Sequence, residues 1–387
     1  MNKNKYNFNR IFNMIKGFFP SVIFLFLAKE KDRIIFNSEF NLEFNQNSKY
    51  LFIYFITHIP DGDFKFVVND SYLRYKLTKE YGNYFISSSS IRNICYILKA
   101  KTWITSSLET PVGGIFLNFG RTVIHLGHGA PIKKIGLNEN YNNWMKELYY
   151  RVIRTNFSYF FSTSLIFDNA WAKCLCVDRK KVLRAAQSRN VTLGLNTLYF
   201  FGGAEVKHIL YAPTWRPFSD TDIFPFSDLD ILHLNHYLED ENAIIYLRLH
   251  PNFEEDISSD FLSDRIKLLK RSEVGDINEI LGEFDVLITD YSSIYVDFLL
   301  THKPVIFLPY DKIIYSELIG FSIDYDKYTP GPKPSSMIEF VNELHLLISE
   351  PDYYLDERII VNSALNYICD NPVEQNFELI KKLIANK

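Results

Sequence analysis

Cysteine is scarce in this sequence, with only four residues, Cys95, Cys174, Cys176 and Cys369, among 387. None of them forms a C-x-x-C pair, which excludes a disulfide framework and the usual zinc-ribbon spacing. Cys174 and Cys176 have no sequence neighbours that would complete a metal site, so we expect both to be buried thiols. So few thiols are typical of a protein in a reducing compartment, and we expect a cytoplasmic one.

Glycine and proline are also sparse, at 16 and 15 residues, while 47% of the residues are hydrophobic. This composition excludes a disordered or low-complexity chain and indicates a folded protein whose length suits two domains. The net charge of −4 argues against a general nucleic-acid binder, so we expect no nucleic-acid partner.

A membrane-spanning run is absent as well, because the apolar stretch at residues 17–28 has only twelve residues and contains Pro20. Pro20 and the charged residues that follow also disfavour a cleaved signal peptide. Residues 1–35 carry seven Lys or Arg against two acidic residues, so this end of the chain can sit on anionic lipid. Two alternatives stay open for it, a segment peripheral to the membrane and a buried entry strand.

Short apolar strands alternate with helical patterns in two sets, which is the signature of parallel α/β layers. The predicted strands are 33–36, 64–68, 102–105 and 122–126 in the first set, and 208–211, 243–249, 265–268, 286–289 and 305–308 in the second. We predict two Rossmann-like domains, 1–195 and 196–387, with the last helix able to pack back on the first. Open parallel sheets bind ligands beyond their strand ends, so an interdomain cleft is the expected site.

The sequence VLITDYSSIYVDFLL, residues 286–300, predicts a buried strand, a hydroxyl-rich turn and a helix. The start of such a helix presents unpaired N–H groups and a positive dipole end. Ser292 and Ser293 can join these groups around a phosphate. The alternative is a serine that only caps an ordinary helix.

Three histidines lie at or near predicted strand ends. His128 lies between two glycines after a strand, where it can face a ligand and act as a base near neutrality, or merely bond to backbone as a turn residue. His125 lies inside that strand and is interpreted as structural. Arg248 and His250 share one face at the end of another strand, where they can neutralise a diphosphate or form a surface salt-bridged pair.

The motif YAPTWR ends the preceding strand and places Thr214 and Arg216 at the same rim. Asp220 and Asp222 resemble the carboxylate pair that some transferases use for a divalent ion. Their polar surroundings favour a solvated loop, so we predict no metal site.

Taken in order, HGAPIKKIG, YAPTWR, RLHP and TDYSSIYVDFLLTHKPVIFLPYD resemble the motifs of the CDP-glycerol glycerophosphotransferase family, enzymes that build or prime teichoic acids and related capsule polymers. The resemblance covers about residues 33–345 and implies the GT-B fold, an α/β architecture of two Rossmann-like domains facing across a cleft. Gly127 stands where the family has tryptophan, and Ala130 stands where it has threonine. Residues 187–191, QSRNV, keep only part of the family motif G-x-P-R-N-D. These departures lie on the acceptor side or at the domain junction.

The resemblance also implies roles for individual residues. His128 would be the base that activates the acceptor hydroxyl, with Gly129 and Lys133 on the acceptor side. His250 would be the second catalytic residue beside His128. Together with Arg248, it would hold the donor diphosphate. The remaining implied donor contacts are Thr214, Arg216, Asp290, Ser292, Ser293 and Asp297. Asp297 equally fits a structural role as a helix cap.

We therefore expect an enzyme that transfers an alditol phosphate, glycerol phosphate first among them, from CDP-glycerol or CDP-ribitol to a glycan or polyol-phosphate acceptor, with release of CMP. No cofactor is implied, and a divalent cation stays open. The expected location is the inner face of the cell membrane, where the enzyme is peripheral and a lipid-linked acceptor can be reached. Two alternatives remain, a glycosyltransferase that uses a nucleotide sugar on the same scaffold and a non-catalytic glycan- or nucleotide-binding protein.

Overall fold

The computed structural model describes residues 17–24, 26–140, 144–194, 200–201, 206–216, 218–249, 254 and 257–385. The chain divides into two compact units. Unit 1 comprises Met1–Ala130, Ile135–Val191 and Tyr367–Lys387, and unit 2 comprises Pro131–Lys134 and Thr192–Asn366. The predicted boundary between residues 195 and 196 lies outside the described residues and stays a prediction.

Parallel strands form the centre of both units. The strands are β1 Glu30–Asn37, β2 Phe64–Val67, β3 Phe85–Ile86, β4 Ala100–Thr105, β5 Thr122–His125, β6 Tyr159–Ser162, β7 Val182–Arg184, β8 Lys207–Ala212, β9 Ala243–Leu247, β10 Ile266–Leu268, β11 Val286–Thr289 and β12 Val305–Phe307. The labelled helices are α1 Gln46–His58, α2 Ser71–Tyr81, α3 Ile91–Leu98, α4 Trp144–Ile153, α5 Leu165–Leu175, α6 Ile231–Asp240, α7 Ile294–Phe298, α8 Lys312–Leu318, α9 Met337–Ser349, α10 Leu355–Leu365 and α11 Pro372–Ala385.

Unit 1 contains a seven-stranded sheet in the order β3-β2-β1-β4-β5-β6-β7. All of its neighbouring strands pair in parallel. The strand order reverses between β1 and β4, which leaves a crevice at their carboxyl ends of the kind in which open α/β sheets bind ligands. Asn37 and Thr105 are the last residues of these two strands and pair with each other.

Phenylalanine fills much of the core of unit 1. Phe36 of β1 packs edge-on against Phe52 and Phe55 of α1, with ring centroids 5.2 and 5.4 Å apart. The last helix, α11, lies against α1, where the rings of Phe377 and Phe55 are 4.7 Å apart. Such edge-to-face pairs add to the free energy gained by burial. They tie the end of the chain to the first sheet.

Unit 2 contains a five-stranded parallel sheet in the order β10-β9-β8-β11-β12. Strand β11 is fully buried, and β8 is buried at every position after Lys207, as expected for strands covered on both faces. Here the order reverses between β8 and β11. The segments after these strands, which begin with Pro213 and Asp290, therefore border the crevice of unit 2. The predicted α/β class with two Rossmann-like sheets is confirmed.

The prediction that Cys174 and Cys176 are both buried is right for one thiol and wrong for the other. Cys174 is buried as predicted, but Cys176 is exposed, so that prediction is wrong. Cys176 lies just past α5 in the left-handed conformation, φ 51°, where the chain leaves the helix.

Residues 17–24 are helical, and Phe19 and Ile23 are exposed there, so the alternative of a buried entry strand is wrong for these residues. No helix among the described residues is long and apolar enough to cross a membrane.

Candidate active site

The loop after β5 is shaped by two glycines and held by two polar side chains. Gly127 and Gly129 have φ values of 76° and 141°, which residues with a Cβ rarely adopt. Asn47, buried in α1, donates from Nδ2 to the Gly127 carbonyl at 2.9 Å and accepts at Oδ1 from the Arg189 N–H at 3.0 Å. Arg189 donates from Nη1 to the carbonyl of His128 at 3.1 Å. The backbone that carries His128 is thus bonded on both sides.

The imidazole of His128 is exposed and has a defined partner on one nitrogen. Its Nδ1 lies 2.9 Å from the carbonyl oxygen of Ser106, just past β4. Because a carbonyl only accepts hydrogen bonds, we infer that Nδ1 carries the proton in the neutral ring and that Nε2 is the basic nitrogen. Ser106 is itself fixed, since its Oγ accepts from the Ser48 N–H at 2.7 Å. This geometry fits the predicted general base.

His128 lines a cavity of about 230 Å³ in unit 1. Ser38 and Glu39 border it just past β1, and Ser107 and Glu109 border it past β4. The cavity therefore lies at the crevice where the strand order of this sheet reverses. Its polar wall suits a ligand rich in hydroxyl groups.

His125 contributes to the same wall in a structural role. It is fully buried beside the rings of Phe157 and Trp171, at centroid distances of 5.7 and 5.4 Å, and its Nδ1 accepts from the Gly127 N–H. Burial lowers the pKa of His125 to about 3, and the charge of nearby His128 adds to this effect. The ring is therefore neutral at physiological pH.

An ion-pair network occupies the crevice of unit 2. Arg216 is fully buried and donates from Nε and Nη2 to the two carboxylate oxygens of Asp311, at 2.9 and 2.8 Å. Its Nη1 donates to Asp290 Oδ2 at 2.5 Å and to the Thr214 carbonyl. Tyr291 donates its hydroxyl to Asp311 Oδ1 at 2.9 Å. The burial of Arg216 lowers its pKa, but Asp311 and Asp290 outweigh this and raise it.

This network gives Arg216 a structural role. Its guanidinium is buried and bonded to two carboxylates and a carbonyl, and its predicted contact with the donor stays a prediction. Asp290 is occupied as well, because its Oδ1 accepts from the N–H groups of Thr214 and Tyr291 at 2.8 and 2.5 Å. Both residues therefore position the loops after β8 and β11, and the donor contact predicted for Asp290 also stays a prediction.

The other predicted donor residues lie on or beside those loops. Ser292 and Ser293 are partly buried, and Ser293 precedes α7 without making a side-chain cap, so the alternative that it only caps the helix is not supported. Ser292 Oγ accepts weakly from the Ile294 N–H at 3.4 Å. Thr214 is buried, and its Oγ1 has no hydrogen-bond partner among the described residues. Asp297 is fully buried in α7, which favours the structural alternative.

Arg248 lies two residues before His250, which is outside the described residues. Its guanidinium donates to the carbonyls of Leu269 at 3.2 Å and Val274 at 2.7 Å, so it anchors the chain after β10. Burial lowers the pKa of Arg248. No surface salt bridge of Arg248 is found among the described residues, and its contact with the diphosphate stays a prediction.

Lys133 lies in a different unit from the one predicted. Residues Pro131–Lys134 belong to unit 2, where Lys134 donates its N–H to Gly320 O at 3.0 Å and Ser322 donates its own to Ile132 O at 2.8 Å. Burial lowers the pKa of Lys133, and the Asp290 carboxylate partly opposes the shift. Backbone pairing with residues 320–322 holds the segment in unit 2, and the acceptor-side role of Lys133 stays a prediction.

The described residues contain no group of three or more His, Cys, Asp or Glu side chains able to hold a metal ion. Asp220 and Asp222 are exposed, as expected for a solvated loop.

Comparison with known proteins agrees with these features. Residues 19–378 match the family model described as CDP-Glycerol:Poly(glycerophosphate) glycerophosphotransferase. The chain belongs to this family. Teichoic acid glycerol-phosphate transferase of Staphylococcus aureus is 28% identical over 359 residues, 85% of this chain and 87% of that protein. Teichoic acid poly(ribitol-phosphate) polymerase of Bacillus spizizenii is 28% identical over 385 residues, 95% of this chain but 58% of that protein.

Among solved structures, a variant of the wall teichoic acid polymerase TagF superimposes with a TM-score of 0.76 at 20% identity, covering 92% of this chain and 90% of that one. At this identity the likeness shows the fold alone. Together with the family match, it confirms the predicted family, the fold class and the transferase class of this glycerophosphotransferase family member.

The sequence interpretation missed Asn47 and Ser106 as supports of these sites, whereas Asp311 is one of the carboxylates that the family resemblance points to, with Asp290 and Asp297. Asn47 bonds to a carbonyl 80 positions away, and no local pattern marks such a residue. Asp311 had a signal, because it ends the TDYSSIYVDFLLTHKPVIFLPYD motif.

Proposed function

We propose that the chain transfers glycerol phosphate, or another alditol phosphate, from a CDP-linked donor to a hydroxyl group of a glycan or polyol-phosphate acceptor and releases CMP. Family membership supports the donor class. The observation that carries the chemistry is the position of His128, which lines a polar cavity while its Nδ1 lies 2.9 Å from the Ser106 carbonyl oxygen.

In the proposed reaction the acceptor oxygen attacks the phosphorus that bears the alditol. A new P–O bond forms to the acceptor, and the bond from that phosphorus to the bridging oxygen breaks, so that the bridging oxygen leaves with CMP. Nε2 of His128 takes the proton of the acceptor hydroxyl. Catalysis of this kind consists of positioning and charge stabilisation.

Donor binding is proposed for unit 2. The N–H groups and hydroxyls of Ser292 and Ser293, on the turn after β11, would stabilise the charge that develops on CMP. Arg216 and Asp290 hold the two loops of that crevice in place. Arg248 and His250 remain the proposed contacts of the diphosphate, and a divalent cation stays open as an additional charge carrier.

We place the enzyme at the cytoplasmic face of the cell membrane as a peripheral protein. Phe18, Phe19 and Ile23, on the helical residues 17–24, are exposed, and the first 35 residues have an excess of Lys and Arg. Apolar side chains next to basic ones are typical of segments that lie on anionic lipid. Co-sedimentation with phosphatidylglycerol vesicles, compared with phosphatidylcholine vesicles, tests this location.

The central test is His128→Ala, assayed by CMP release from CDP-glycerol. Loss of a general base lowers kcat by about 10²- to 10⁴-fold, while the KM for the donor should change little. His58→Ala is the matched control, because His58 is also exposed and its Nδ1 also lies 2.9 Å from a carbonyl, that of Tyr54. A His128→Ala enzyme with near-native kcat would exclude the proposed base.

Product analysis separates this function from the two alternatives. Phosphorus NMR should show a new phosphodiester in the product. A glycosyltransferase would leave no phosphorus in the product linkage, and a non-catalytic binding protein would release no CMP.

A further inference from the structure

Lys133 is held beside the crevice of unit 2 by its backbone. It pairs with Phe321 in an antiparallel bridge, and its carbonyl accepts from the Ser322 hydroxyl at 3.0 Å. The ring of Phe321 packs against that of Tyr291, with centroids 5.4 Å apart. Because Tyr291 directly follows Asp290, these contacts place Lys133 next to the loop after β11. That loop borders the crevice where the strand order of the second sheet reverses.

An aromatic cluster fixes this arrangement. Phe321 also contacts Tyr315 and Tyr325, with ring centroids 5.7 and 5.0 Å apart. Tyr325 in turn donates its hydroxyl to the carbonyl of Asp290 at 2.9 Å. The bridge partner of Lys133 and the loop after β11 therefore belong to one packed cluster, which is stabilised by burial and by ring contacts.

The ammonium group of Lys133 lacks a partner in the part of the chain that the structure describes. Lys133 is partly buried, yet its ammonium makes no hydrogen bond and no ion pair there. Burial lowers the pKa of Lys133, the Asp290 carboxylate raises it and the Arg216 guanidinium lowers it, so the ammonium lies within electrostatic reach of both groups. An ammonium without a partner keeps three N–H donors for a ligand.

The other charged groups at this crevice are already engaged. Arg216 is fully buried and makes four hydrogen bonds, three to carboxylates and one to a carbonyl. Asp290 accepts with both of its carboxylate oxygens, and Asp311 accepts with both of its own. Of the two cations Arg216 and Lys133, Lys133 is therefore the one whose donors remain available.

Hydroxyl groups border the same crevice but bring no charge. Ser292 and Ser293 lie partly buried on the turn after β11, and the buried Oγ1 of Thr214 has no hydrogen-bond partner among the described residues. Hydroxyls can donate to the oxygens of a phosphate. A diphosphate that leaves water also needs a cation, because an unpaired charge is costly to bury. Lys133 supplies such a cation as a point charge with three rotatable donors.

From these observations, and resting on the proposed function, we propose that Lys133 binds the diphosphate of the CDP-linked donor, in place of the acceptor-side role that the resemblance implies. Its ammonium donates to a phosphate oxygen of the bound donor. As the bond from the alditol-bearing phosphorus to the bridging oxygen breaks, negative charge grows on the departing CMP, and the same ammonium stabilises it. Lys133 thus adds a contact to those proposed above for Ser292 and Ser293.

Binding measured without an acceptor separates a donor role from an acceptor role. The full chain is titrated by calorimetry with CDP, and with cytidine as the probe that lacks phosphate. Lys133→Met keeps the length of the side chain and removes its charge. We expect it to raise the Kd for CDP about 10- to 100-fold, the effect of losing one hydrogen bond to a charged group, and to leave the Kd for cytidine within about twofold.

Two further variants control for a change in packing. Lys133→Gln also removes the charge but keeps a polar end, and it should raise the Kd for CDP by a similar factor. Lys327→Met, which removes an exposed lysine of unit 2, is the matched control and should bind CDP like the native chain. A Kd for CDP within about twofold of the native value in both Lys133→Met and Lys133→Gln would overturn the proposal and leave the proposed function intact. An absence of CDP binding by the native chain would overturn both.

Steady-state kinetics with CDP-glycerol provide a second readout. Lys133→Met should lower kcat/KM for the donor at least about tenfold and leave the KM for the acceptor within about twofold. The opposite pattern, a raised acceptor KM with an unchanged kcat/KM for the donor, would return Lys133 to the acceptor side and overturn the proposal.

Discussion

Replacement of Arg216 tests whether this side chain holds unit 2 together or binds the donor. In Arg216→Met the long side chain is kept while four hydrogen bonds are lost, three to carboxylates and one to the Thr214 carbonyl. Asp290 and Asp311 then remain as uncompensated charges in a site where their side chains are only 3% and 11% exposed.

The expected magnitude follows from that burial. Breaking a buried ion pair by removal of one partner costs about 3–5 kcal/mol, because a charge stays behind without compensation. Remaining donors relieve part of the cost, since Asp290 keeps the N–H groups of Thr214 and Tyr291 and Asp311 keeps the Tyr291 hydroxyl. We expect the free energy of unfolding to fall by about 3–5 kcal/mol, and Arg216→Lys to lie between this variant and the native protein.

Hydrogen exchange measured by mass spectrometry on peptides from β8 and β11 reports the stability of unit 2, with peptides from β1 and β4 as the internal reference. Lys312→Met is the matched control. Its ion pair with Asp326 has a similar length, 2.7 Å, but is largely exposed, so its loss should cost about 0–1 kcal/mol. Arg216→Met and Asp311→Asn together should cost less than the sum of the single changes. A loss below about 1 kcal/mol in Arg216→Met, combined with a raised KM for CDP-glycerol, would refute the structural role.

Three further predictions concern single side chains. The folded-state pKa of His125, about 3, lies below the unfolded value, so its contribution to stability is present above about pH 6.5 and is lost as the pH falls. Urea unfolding should show that the native protein loses about 2 kcal/mol more than His125→Asn between pH 7 and 5, and equal losses would contradict the neutral buried ring. Asn47→Ala should lower the free energy of unfolding by about 2–3 kcal/mol and reduce kcat with little change in donor KM; a change in donor KM alone would argue against its support of the His128 loop. Ser293→Ala should leave thermal stability within about 0.5 kcal/mol, since Ser293 makes no cap bond, yet raise the KM for CDP-glycerol about tenfold; an unchanged KM would remove Ser293 from the donor site.

Most strands were predictable because parallel strands buried on both faces are continuous apolar runs. Strand β11 has the predicted bounds, Val286–Thr289. Strand β3 escaped prediction because its two residues, FI, are too few for a pattern to be distinguished from a loop. Strand β7, VLR, was missed as well, and it lies in a stretch rich in basic residues. Strand β6, Tyr159–Ser162, follows a short 3-10 turn and has no flanking glycine or proline that would mark its start.

The sequence predicted which residue types form the candidate site better than it predicted the role of each side chain. The glycines beside His128 mark a special loop in the sequence, and the structure gives both of them positive φ. Arg216 shows the limit of such reasoning. An arginine at a strand end serves equally well for a phosphate or for buried carboxylates, and only the positions of Asp290 and Asp311, 74 and 95 residues away, decide between them.

The order of apolar runs and turn residues along the chain was enough to specify two parallel α/β sheets and the motifs at their strand ends, because strand formation and helix starts depend on neighbours in sequence. Tertiary structure alone decided which groups are neutralised, buried or basic. Lys133 lies in unit 2 through pairing with residues 320–322, and Nδ1 of His128 faces the Ser106 carbonyl, from which we infer its tautomer. Such contacts join residues far apart in sequence, and the charge and proton positions of a site depend on distances that no local pattern contains.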